Sequence, residues 1–330
     1  MAKYILRRLL YVCFVFLIIS VIMFGIFQLV PGDRVRLMID ESVARSNPER
    51  YKVIYEQTRI KMGLDQPIYV QYFRWLSGML SGDFGYSAHY KQPVVSIIQA
   101  PMLNTVQMNL INLVLVFAIT IPLGIATAVR KGRAFDSGVQ VFTVVGISLP
   151  SFLVALICIS LFAVLWPIFP ISGSASAGIT ATNASGFQLF VDRLYHMALP
   201  LMVMTITNMA SITRYVRSAM VEALKQDYIR TARAKGLREK VVIYSHAFRN
   251  ALIPVVTIMT GWFISIFSGW VAIEAIFLWN GLGNLLYQSL LRQDYSVVMT
   301  MNMFYTVLAL FGNLLMDLGY GLVDPRVKLS

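Results

Sequence analysis

Long apolar runs alternate with polar or charged segments along this chain. A helix that crosses a bilayer needs about 20 mostly apolar residues, and six runs reach that length. The pattern therefore predicts an all-α, polytopic membrane protein with six transmembrane helices. The predicted spans lie at about residues 9–30, 102–129, 137–166, 195–215, 251–277 and 297–323.

The basic residues predict the orientation of these spans, because Lys and Arg are enriched in cytoplasmic loops. With the N-terminus inside, the inner segments hold 17 basic residues, whereas the short outer loops hold only Arg193 and Arg292. Residues 31–101 carry nine basic and seven acidic residues, and a loop of that length follows the charge rule poorly. We therefore predict that both termini are cytoplasmic (N-in, C-in).

This topology divides the chain into four segments, one of which is a small helical extracytoplasmic insertion between the first two spans. Helices are predicted within this insertion at about residues 49–62 and 69–80. The segments are a basic N-terminus with the first span (1–30), the insertion (31–101), a five-helix core containing a cytoplasmic loop at 216–250 (102–323), and a cytoplasmic tail (324–330).

The composition narrows the functional classes. Mean hydropathy is +0.67 and 13% of the residues are charged, against about 25% in soluble domains. The net charge of +12 is spread beside apolar spans, which indicates membrane topology and argues against nucleic-acid binding. Cys13 and Cys158 lie inside apolar runs without metal-ligand spacing. They are expected to pack as small hydrophobic residues, and no metal site is predicted.

Two spans carry polar side chains along one face at helical spacing. Such stripes form either interhelical hydrogen bonds or a water-accessible translocation pathway. The stripe on the second span contains Thr105, Asn109, Asn112 and Thr120, and the stripe on the sixth contains Asn302, Thr306, Asn313 and Asp317. The candidate pathway residues are Asn109, Asn112, Asn302, Thr306 and Asn313.

Two carboxylates, Glu274 and Asp317, fall within predicted spans, where an unpaired charge is costly. Glu274 lies near the outer end of the fifth span and is placed to pair with backbone groups of the turn at residues 281–283; alternatively, it is a proton or cation site. Asp317 lies near the inner end of the sixth span, within reach of interfacial water. We assign both residues a structural or gating role.

The chain lacks the sequence motifs of catalysis. It contains neither a GxxxxGK[ST] phosphate-binding loop nor HExxH or GxSxG. We therefore predict a non-catalytic subunit, and any uphill transport would draw its energy from a partner on the cytoplasmic side.

The inner loop has the properties of a docking surface for such a partner. Residues 219–225 and 228–235 are predicted helices, and Gly236 is placed to end the second in a left-handed cap. Arg230, Arg233 and Lys235 supply positive charge for an acidic groove. The alternative interpretation is a solvated amphipathic hairpin on the membrane surface.

Ten short motifs resemble the transmembrane permease subunit of the dipeptide, oligopeptide and nickel family of ATP-binding cassette importers, above all its B-type subunit. The block at 227–237 is the most specific of them. They are YILRR (4–8), PGD (31–33), GLDQP (63–67), GDFG (82–85), SLPSF (148–152), DYIRTARAKGL (227–237), NALIP (250–254), Glu274, RQDY (292–295) and DPR (324–326).

The resemblance implies a type I importer permease fold in the cytoplasmic membrane of a prokaryote. It implies a second homologous permease, two ATPase subunits that bind ATP and Mg, and an extracytoplasmic substrate-binding protein, with no cofactor bound by this chain itself. The implied ATPase-coupling residues are Glu222, Ala223, Asp227, Arg230, Thr231, Ala232, Arg233, Ala234, Lys235 and Gly236. The generic importer motif has proline about 13 residues after its glycine, whereas Gly236 and Pro254 are 18 apart, so the contacts follow the peptide-family block.

The expected function is a pore-forming subunit that imports di- or oligopeptides by alternating access. Nickel or another small solute is the alternative cargo, although the stripes contain no His/Cys/Met cluster suited to nickel. A stand-alone channel or secondary transporter is an alternative of another class, with Glu274 and Asp317 as ion or proton sites. A membrane-anchored scaffold is the third alternative function.

Overall fold

A computed structural model of the chain describes residues 2–30, 33–39, 47–176, 178–179, 183–252, 262 and 265–323. Within these ranges every regular element is helical, as the sequence predicts. The helices are α1 (Ala2–Leu29), α2 (Arg34–Met38), α3 (Pro48–Lys61), α4 (Ile68–Leu80), α5 (Val94–Val129), α6 (Ala134–Ser148), α7 (Ser151–Ile159), α8 (Gly186–Ala223), α9 (Asp227–Ala234), α10 (Glu239–Val241), α11 (Val271–Ile276), α12 (Leu282–Leu291) and α13 (Tyr295–Val323). Two π-helical segments, Ser160–Leu165 and Val242–Phe248, continue α7 and α10.

Four helices in the described part of the chain are long and apolar enough to cross a membrane. They lie in α1, α5, α8 and α13, and so correspond to the first, second, fourth and sixth predicted spans. Helices α5 and α8 extend well beyond the predicted limits. Hydropathy marks only the part of a helix that lies in the apolar layer, so it underestimates helices that project from that layer.

The third predicted span is not one straight helix. Helices α6 and α7 meet at a bend of 105°, with Leu149 in an extended conformation immediately before Pro150. Proline lacks an N–H donor and disfavours the helical conformation of the residue before it, so the chain breaks there. Counting the bent pair as one span raises the number of candidate spans to five.

Part of the fifth predicted span lies outside the described residues, which omit 253–261, 263 and 264. The predicted tail at 324–330 lies outside them as well. The described end of the fifth span contains turns and the six-residue helix α11.

The chain divides into two compact units, one formed by Met1–Met102 with Leu285–Ser330 and the other by Leu103–Asn284. In the first unit α1 packs along α13, and Phe24 and Phe27 are buried with Val298 and Met299. Both helices predicted at 49–62 and 69–80 are present, as α3 and α4. Helix α3 begins where Asn47 Oδ1 accepts the Arg50 N–H at 3.0 Å, a cap that satisfies an otherwise unpaired amide.

The second unit is organised around α8. This helix starts with a capping box in which Ser185 and Gln188 each accept the other's backbone N–H. Its buried side chains contribute to two apolar clusters. One includes Met108, Met204, Phe277 and Trp279, and the other includes Val116, Val216, Ile229 and Ala232.

Gly124 on α5 lies directly against Val216 and Arg217 on α8. A Cβ atom on this glycine would lie 2.7 Å from Val216 Cβ and 3.2 Å from the Arg217 backbone nitrogen. Real Cβ atoms do not approach a neighbour's Cβ this closely, so the two helices must separate if Gly124 is replaced.

We expect Gly124→Ala to destabilise the protein by roughly 1–3 kcal/mol, the usual cost of overpacking. Gly25→Ala in α1 is the matched control, because no atom lies within 4 Å of the added Cβ and alanine is the better helix former. Thermal unfolding of the two purified variants in one detergent should place the Gly124→Ala midpoint lower. If the two variants have equal unfolding midpoints, α5 and α8 accommodate the added methyl group without loss of stability.

Candidate functional site

The polar stripe predicted on the second span lies on α5 and is buried, with each of its four side chains at most 4% exposed. Thr105, Asn109 and Asn112 form hydrogen bonds to segments far away in sequence. The Thr120 hydroxyl has no hydrogen-bond partner among the described residues. Three members of the stripe therefore connect α5 to other elements.

Glu274 is fully buried and accepts hydrogen bonds from the starts of two helices. Its Oε1 accepts the Thr105 hydroxyl at 3.1 Å and the Trp270 N–H at 3.2 Å. Its Oε2 accepts the Asn284 N–H at 3.1 Å. Thr105 Oγ1 in turn accepts the Leu282 N–H at 2.8 Å. The carboxylate therefore satisfies amides that the first turns of α11 and α12 leave without intrahelical partners.

Two glycines allow the backbone to approach this carboxylate. A Cβ atom at Gly281 would lie 2.6 Å from Thr105 Oγ1, and one at Gly283 would lie 2.7 Å from the Val271 nitrogen. Any larger residue at Gly281 would therefore displace Thr105 or Glu274.

Asn109 holds the turn that precedes α11. Its Nδ2 donates to the carbonyls of Ser265, Ile266 and Ser268 at 3.2, 2.9 and 3.0 Å. This arrangement fixes the side-chain amide and leaves Oδ1 buried without a partner among the described residues. A cavity of about 220 Å³ lies beside it, lined by Asn109, Asn112, Leu113, Asn208, Trp262, Ser265, Ile266 and Trp270.

The stripe predicted on the sixth span lies on α13, in the other unit. Asn302 donates to the Val298 carbonyl at 2.8 Å, and Thr306 donates to the Asn302 carbonyl at 2.9 Å, both within their own helix. Asn313 is exposed. The Asp317 side chain lies outside the described part of the structure, so its role stays a prediction.

The predicted second helix of the inner loop is α9, and Gly236 ends it in a left-handed conformation with φ +72°. The Leu237 N–H reaches back to the Ala232 carbonyl at 3.3 Å, and the Gly236 N–H to the Arg233 carbonyl at 2.9 Å. These are the bonds of a glycine-capped helix end. The predicted left-handed cap is confirmed.

The structure divides the ten predicted coupling residues into two groups. Ala223 and Ala232 are buried with Ile229 in the chain's own core, so neither side chain is available to a partner in this conformation. The other eight are exposed: Glu222, Asp227, Arg230, Thr231, Arg233, Ala234, Lys235 and Gly236.

Arg233 has a partner that the sequence did not suggest. Its guanidinium makes two bonds to the Glu239 carboxylate, Nη2–Oε1 at 2.6 Å and Nε–Oε2 at 3.2 Å. Arg233 holds the pKa of the Glu239 carboxyl below its usual value through these bonds. The pair bridges the turn that contains Ala234, Lys235 and Gly236.

A second charged pair that the sequence did not predict joins α6 to α8. Arg217 Nε and Nη2 donate to Asp136 Oδ1 and Oδ2 at 2.6 and 2.7 Å. The Gly132 N–H and Gln140 Nε2 complete the shell of the carboxylate, which is 1% exposed. A lone Asp at the start of an apolar run was the available signal, but its partner lies 81 residues away.

The segments around two of the resembling motifs, GDFG (82–85) and RQDY (292–295), are linked by hydrogen bonds in the first unit. Asp294 is 1% exposed and accepts hydrogen bonds from the Ser87 hydroxyl and the His89 N–H. Thr300 donates to the Phe84 carbonyl at 3.3 Å. The segment that follows GDFG is thus tied to the start of α13, an association that the separate motifs did not predict.

Comparison with known proteins identifies the family. Residues 120–329 match the model of the binding-protein-dependent transport system inner membrane component. Residues 1–110 match the N-terminal model of the same kind of membrane component. The chain belongs to this family of binding-protein-dependent transport system inner membrane components. The resemblance seen in the motifs is therefore confirmed, and the protein is a membrane permease component.

Curated relatives match over their full length. The chain is 39% identical over 329 residues to the oligopeptide transport system permease protein AppB of Bacillus subtilis strain 168, covering 99% of this chain and 100% of that protein. It is 35% identical over 342 residues to the dipeptide transport system permease protein DppB of Escherichia coli K12 and 32% identical over 339 residues to the di/tripeptide transport system permease protein DppB of Pseudomonas aeruginosa UCBPP-PA14. Each of these two matches covers 99% of both chains.

Proposed function

We propose that this permease is one pore-forming subunit of an ATP-driven, binding-protein-dependent importer of di- or oligopeptides in the cytoplasmic membrane. The observation that carries the proposal is the full-length match to three permeases whose names specify oligopeptide, dipeptide and di/tripeptide transport. In this proposal a second permease completes the pore, two ATPase subunits hydrolyse ATP, and a binding protein delivers the peptide. This chain binds no cofactor and catalyses no reaction.

The proposed topology has six spans with both termini inside. It adds the incompletely described fifth span to the five that the helices allow. Residues 31–101 then form the extracytoplasmic insertion, and α9 with its Gly236 cap faces the cytoplasm. The basic residues around Arg230 and Lys235 support this placement, since cytoplasmic loops are rich in Lys and Arg.

We place the ATPase contact on the exposed residues of the α9 segment and the peptide pathway along α5 and α13. Support for the first comes from the exposed turn that contains Gly236 and is bridged by the Arg233–Glu239 pair. Support for the second comes from the neutral polar residues of the two helices, Asn109 and Asn112 on α5 and Asn302, Thr306 and Asn313 on α13. Glu274 serves a structural role at the α11–α12 junction, and Asp317 is proposed to act at the inner end of α13.

Affinity purification from native membranes tests the proposal directly. The tagged full-length chain should co-purify with a second permease, ATPase subunits and a solute-binding protein. Proteoliposomes holding that complex should take up trialanine only when ATP and the binding protein are both present. Recovery of the chain alone, with uptake driven by an ion gradient, would replace the proposal with a stand-alone transporter.

We expect Gly236→Val to reduce ATP-driven uptake roughly tenfold while membrane insertion is retained. No atom lies within 4 Å of the added Cβ, so the damage comes from the backbone. A left-handed conformation costs a β-branched residue about 1–2 kcal/mol, and the end of α9 must therefore rearrange. Uptake and ATP hydrolysis measured together on one preparation should show hydrolysis uncoupled from transport.

Gly178→Val is the matched control for this variant. Gly178 has φ +87° and also has open space around it, so the substitution imposes similar strain outside α9. Its uptake should stay close to the wild-type rate. Equal losses in the two variants would assign the effect to general strain and remove Gly236 from the coupling surface.

A further inference from the structure

Two residues that line the cavity beside Asn109 each carry a hydrogen-bonding atom without a partner among the described residues. Asn109 Oδ1 is a buried acceptor and Asn208 Nδ2 a buried donor, and neither has a partner among the described residues. Both residues line the same cavity of about 220 Å³. An unpaired buried polar atom is unfavourable, so two of them beside one cavity indicate a polar ligand or water that occupies it.

The orientation of the Asn109 amide is determined by its surroundings. Its Nδ2 donates to three backbone carbonyls, and a carbonyl cannot accept from Oδ1. The acceptor therefore stays on the side away from the turn at residues 265–268. A ligand that forms a hydrogen bond with Asn109 Oδ1 must supply an N–H or O–H donor.

The lining residues exclude charge. Among the described residues, the cavity is bordered by three asparagines, one serine and four apolar or aromatic residues, with no acidic or basic side chain. Asn112 already uses its Oδ1 to accept the Thr205 hydroxyl at 3.3 Å, which leaves its amide donor for the cavity. A neutral site with an acceptor and donors suits an uncharged group that itself carries one N–H and one C=O.

From these observations we propose that the cavity is a transit site for one internal peptide bond of the transported peptide. The peptide N–H donates to Asn109 Oδ1, its carbonyl accepts from Asn208 Nδ2, and Trp262 and Trp270 provide apolar walls. The cavity is large enough for only part of a ligand. Such a site recognises the peptide backbone rather than the side chains. This inference rests on the proposed peptide import.

The test is a comparison of trialanine with its ester analogue, in which the central peptide bond is replaced by an ester. The ester lacks the N–H donor and has a weaker carbonyl acceptor. Uptake is measured in proteoliposomes containing the complete importer, at saturating loaded binding protein. The binding protein is the same for every variant, so its own preference cancels when the amide-to-ester rate ratios are compared.

The wild-type complex should import trialanine about fivefold faster than the ester, the effect of losing one typical hydrogen bond. Thr207→Val, on the same helix, is the matched control, because among the described residues its hydroxyl donates to α8 carbonyls and Thr207 does not line the cavity. It should keep the fivefold ratio. In Asn208→Leu the ratio should fall below twofold, mainly through slower import of trialanine, because two contacts to one rigid amide act together.

Asn208→Ala repeats the comparison with a smaller side chain, so that the result does not depend on the folding of the leucine variant. An unchanged ratio in both Asn208 variants would overturn the transit site while leaving peptide import intact. A wild-type complex that imports neither compound with ATP and binding protein would instead overturn the proposed function, and the transit site with it.

Discussion

Arg217→Leu should lower the free energy of unfolding of this permease by about 3–5 kcal/mol. The substitution leaves the Asp136 carboxylate, 1% exposed, without its cationic partner, and an uncompensated buried charge has a cost of that size. The Gly132 N–H and Gln140 amide still donate to the carboxylate, but they do not replace the charge of a guanidinium bonded at both oxygens.

The consequence extends to the inner loop. Arg217 lies on α8 less than two turns before that helix ends at Ala223, and α9 starts at Asp227. The pair thus anchors the base of the proposed coupling segment to α6. Loss of the anchor should reduce uptake as well as stability, because α9 must stay fixed to transmit force.

Thermal unfolding of the purified complex checks the size of this effect, with a fall in midpoint of roughly 10 °C expected. Arg214→Leu, one turn earlier on α8 and exposed, is the matched control and should shift the midpoint little. The double variant Asp136→Leu/Arg217→Leu should recover much of the loss, since removing both charges removes the unpaired one. If Arg217→Leu lowers the unfolding midpoint no more than Arg214→Leu does, the Asp136–Arg217 pair contributes no more to stability than an exposed ion pair.

The apolar pattern predicted most of the helices because helix length in a membrane is set by a run of apolar residues. The helices in the insertion, α3 and α4, also carried clear local signals, such as Asn47-Pro48 at the start of α3. The bend between α6 and α7 was less predictable. Pro150 signals a break, but the 105° angle depends on packing against α8, which no local pattern contains.

The residues of the candidate site also differ in whether local sequence was enough to predict their roles. Gly236 was predicted as a left-handed cap because the requirement is local, and Glu274 was placed beside the turn at residues 281–283 because the two are close in sequence. Asn208 and the Asp136–Arg217 pair escaped prediction because their roles arise from contacts between distant segments. A single polar residue in an apolar helix indicates that a contact exists without indicating which residue makes it.

Glu274→Leu should destabilise the permease by at least about 3 kcal/mol. The substitution removes the acceptor of the Trp270 and Asn284 amides and of the Thr105 hydroxyl. Each buried donor left without a partner costs about 1–3 kcal/mol. Glu274→Gln should cost less but remain destabilising, because its amide nitrogen must face at least one of the N–H donors that the carboxylate accepts.

Gly281→Ala should disturb the hydrogen bonds of Glu274 without changing Glu274 itself. The added Cβ would lie 2.6 Å from Thr105 Oγ1, so alanine must displace the hydroxyl that links Glu274 to the Leu282 amide. If the carboxylate is structural, Gly281→Ala and Glu274→Gln should lower the unfolding midpoint in the same direction. Both should also reduce the yield of assembled complex.

Thermal unfolding and size-exclusion profiles of the purified variants measure this, with Glu56→Leu on α3 as the matched control. Glu56 is exposed, so its loss should leave the midpoint nearly unchanged. A proton or cation site at Glu274 makes the opposite prediction. Glu274→Gln would then keep the wild-type midpoint, and transport would lose a dependence on pH or on an ion gradient that the wild type displays. Because the carboxylate is fully buried and is held by backbone amides, we expect the loss of stability.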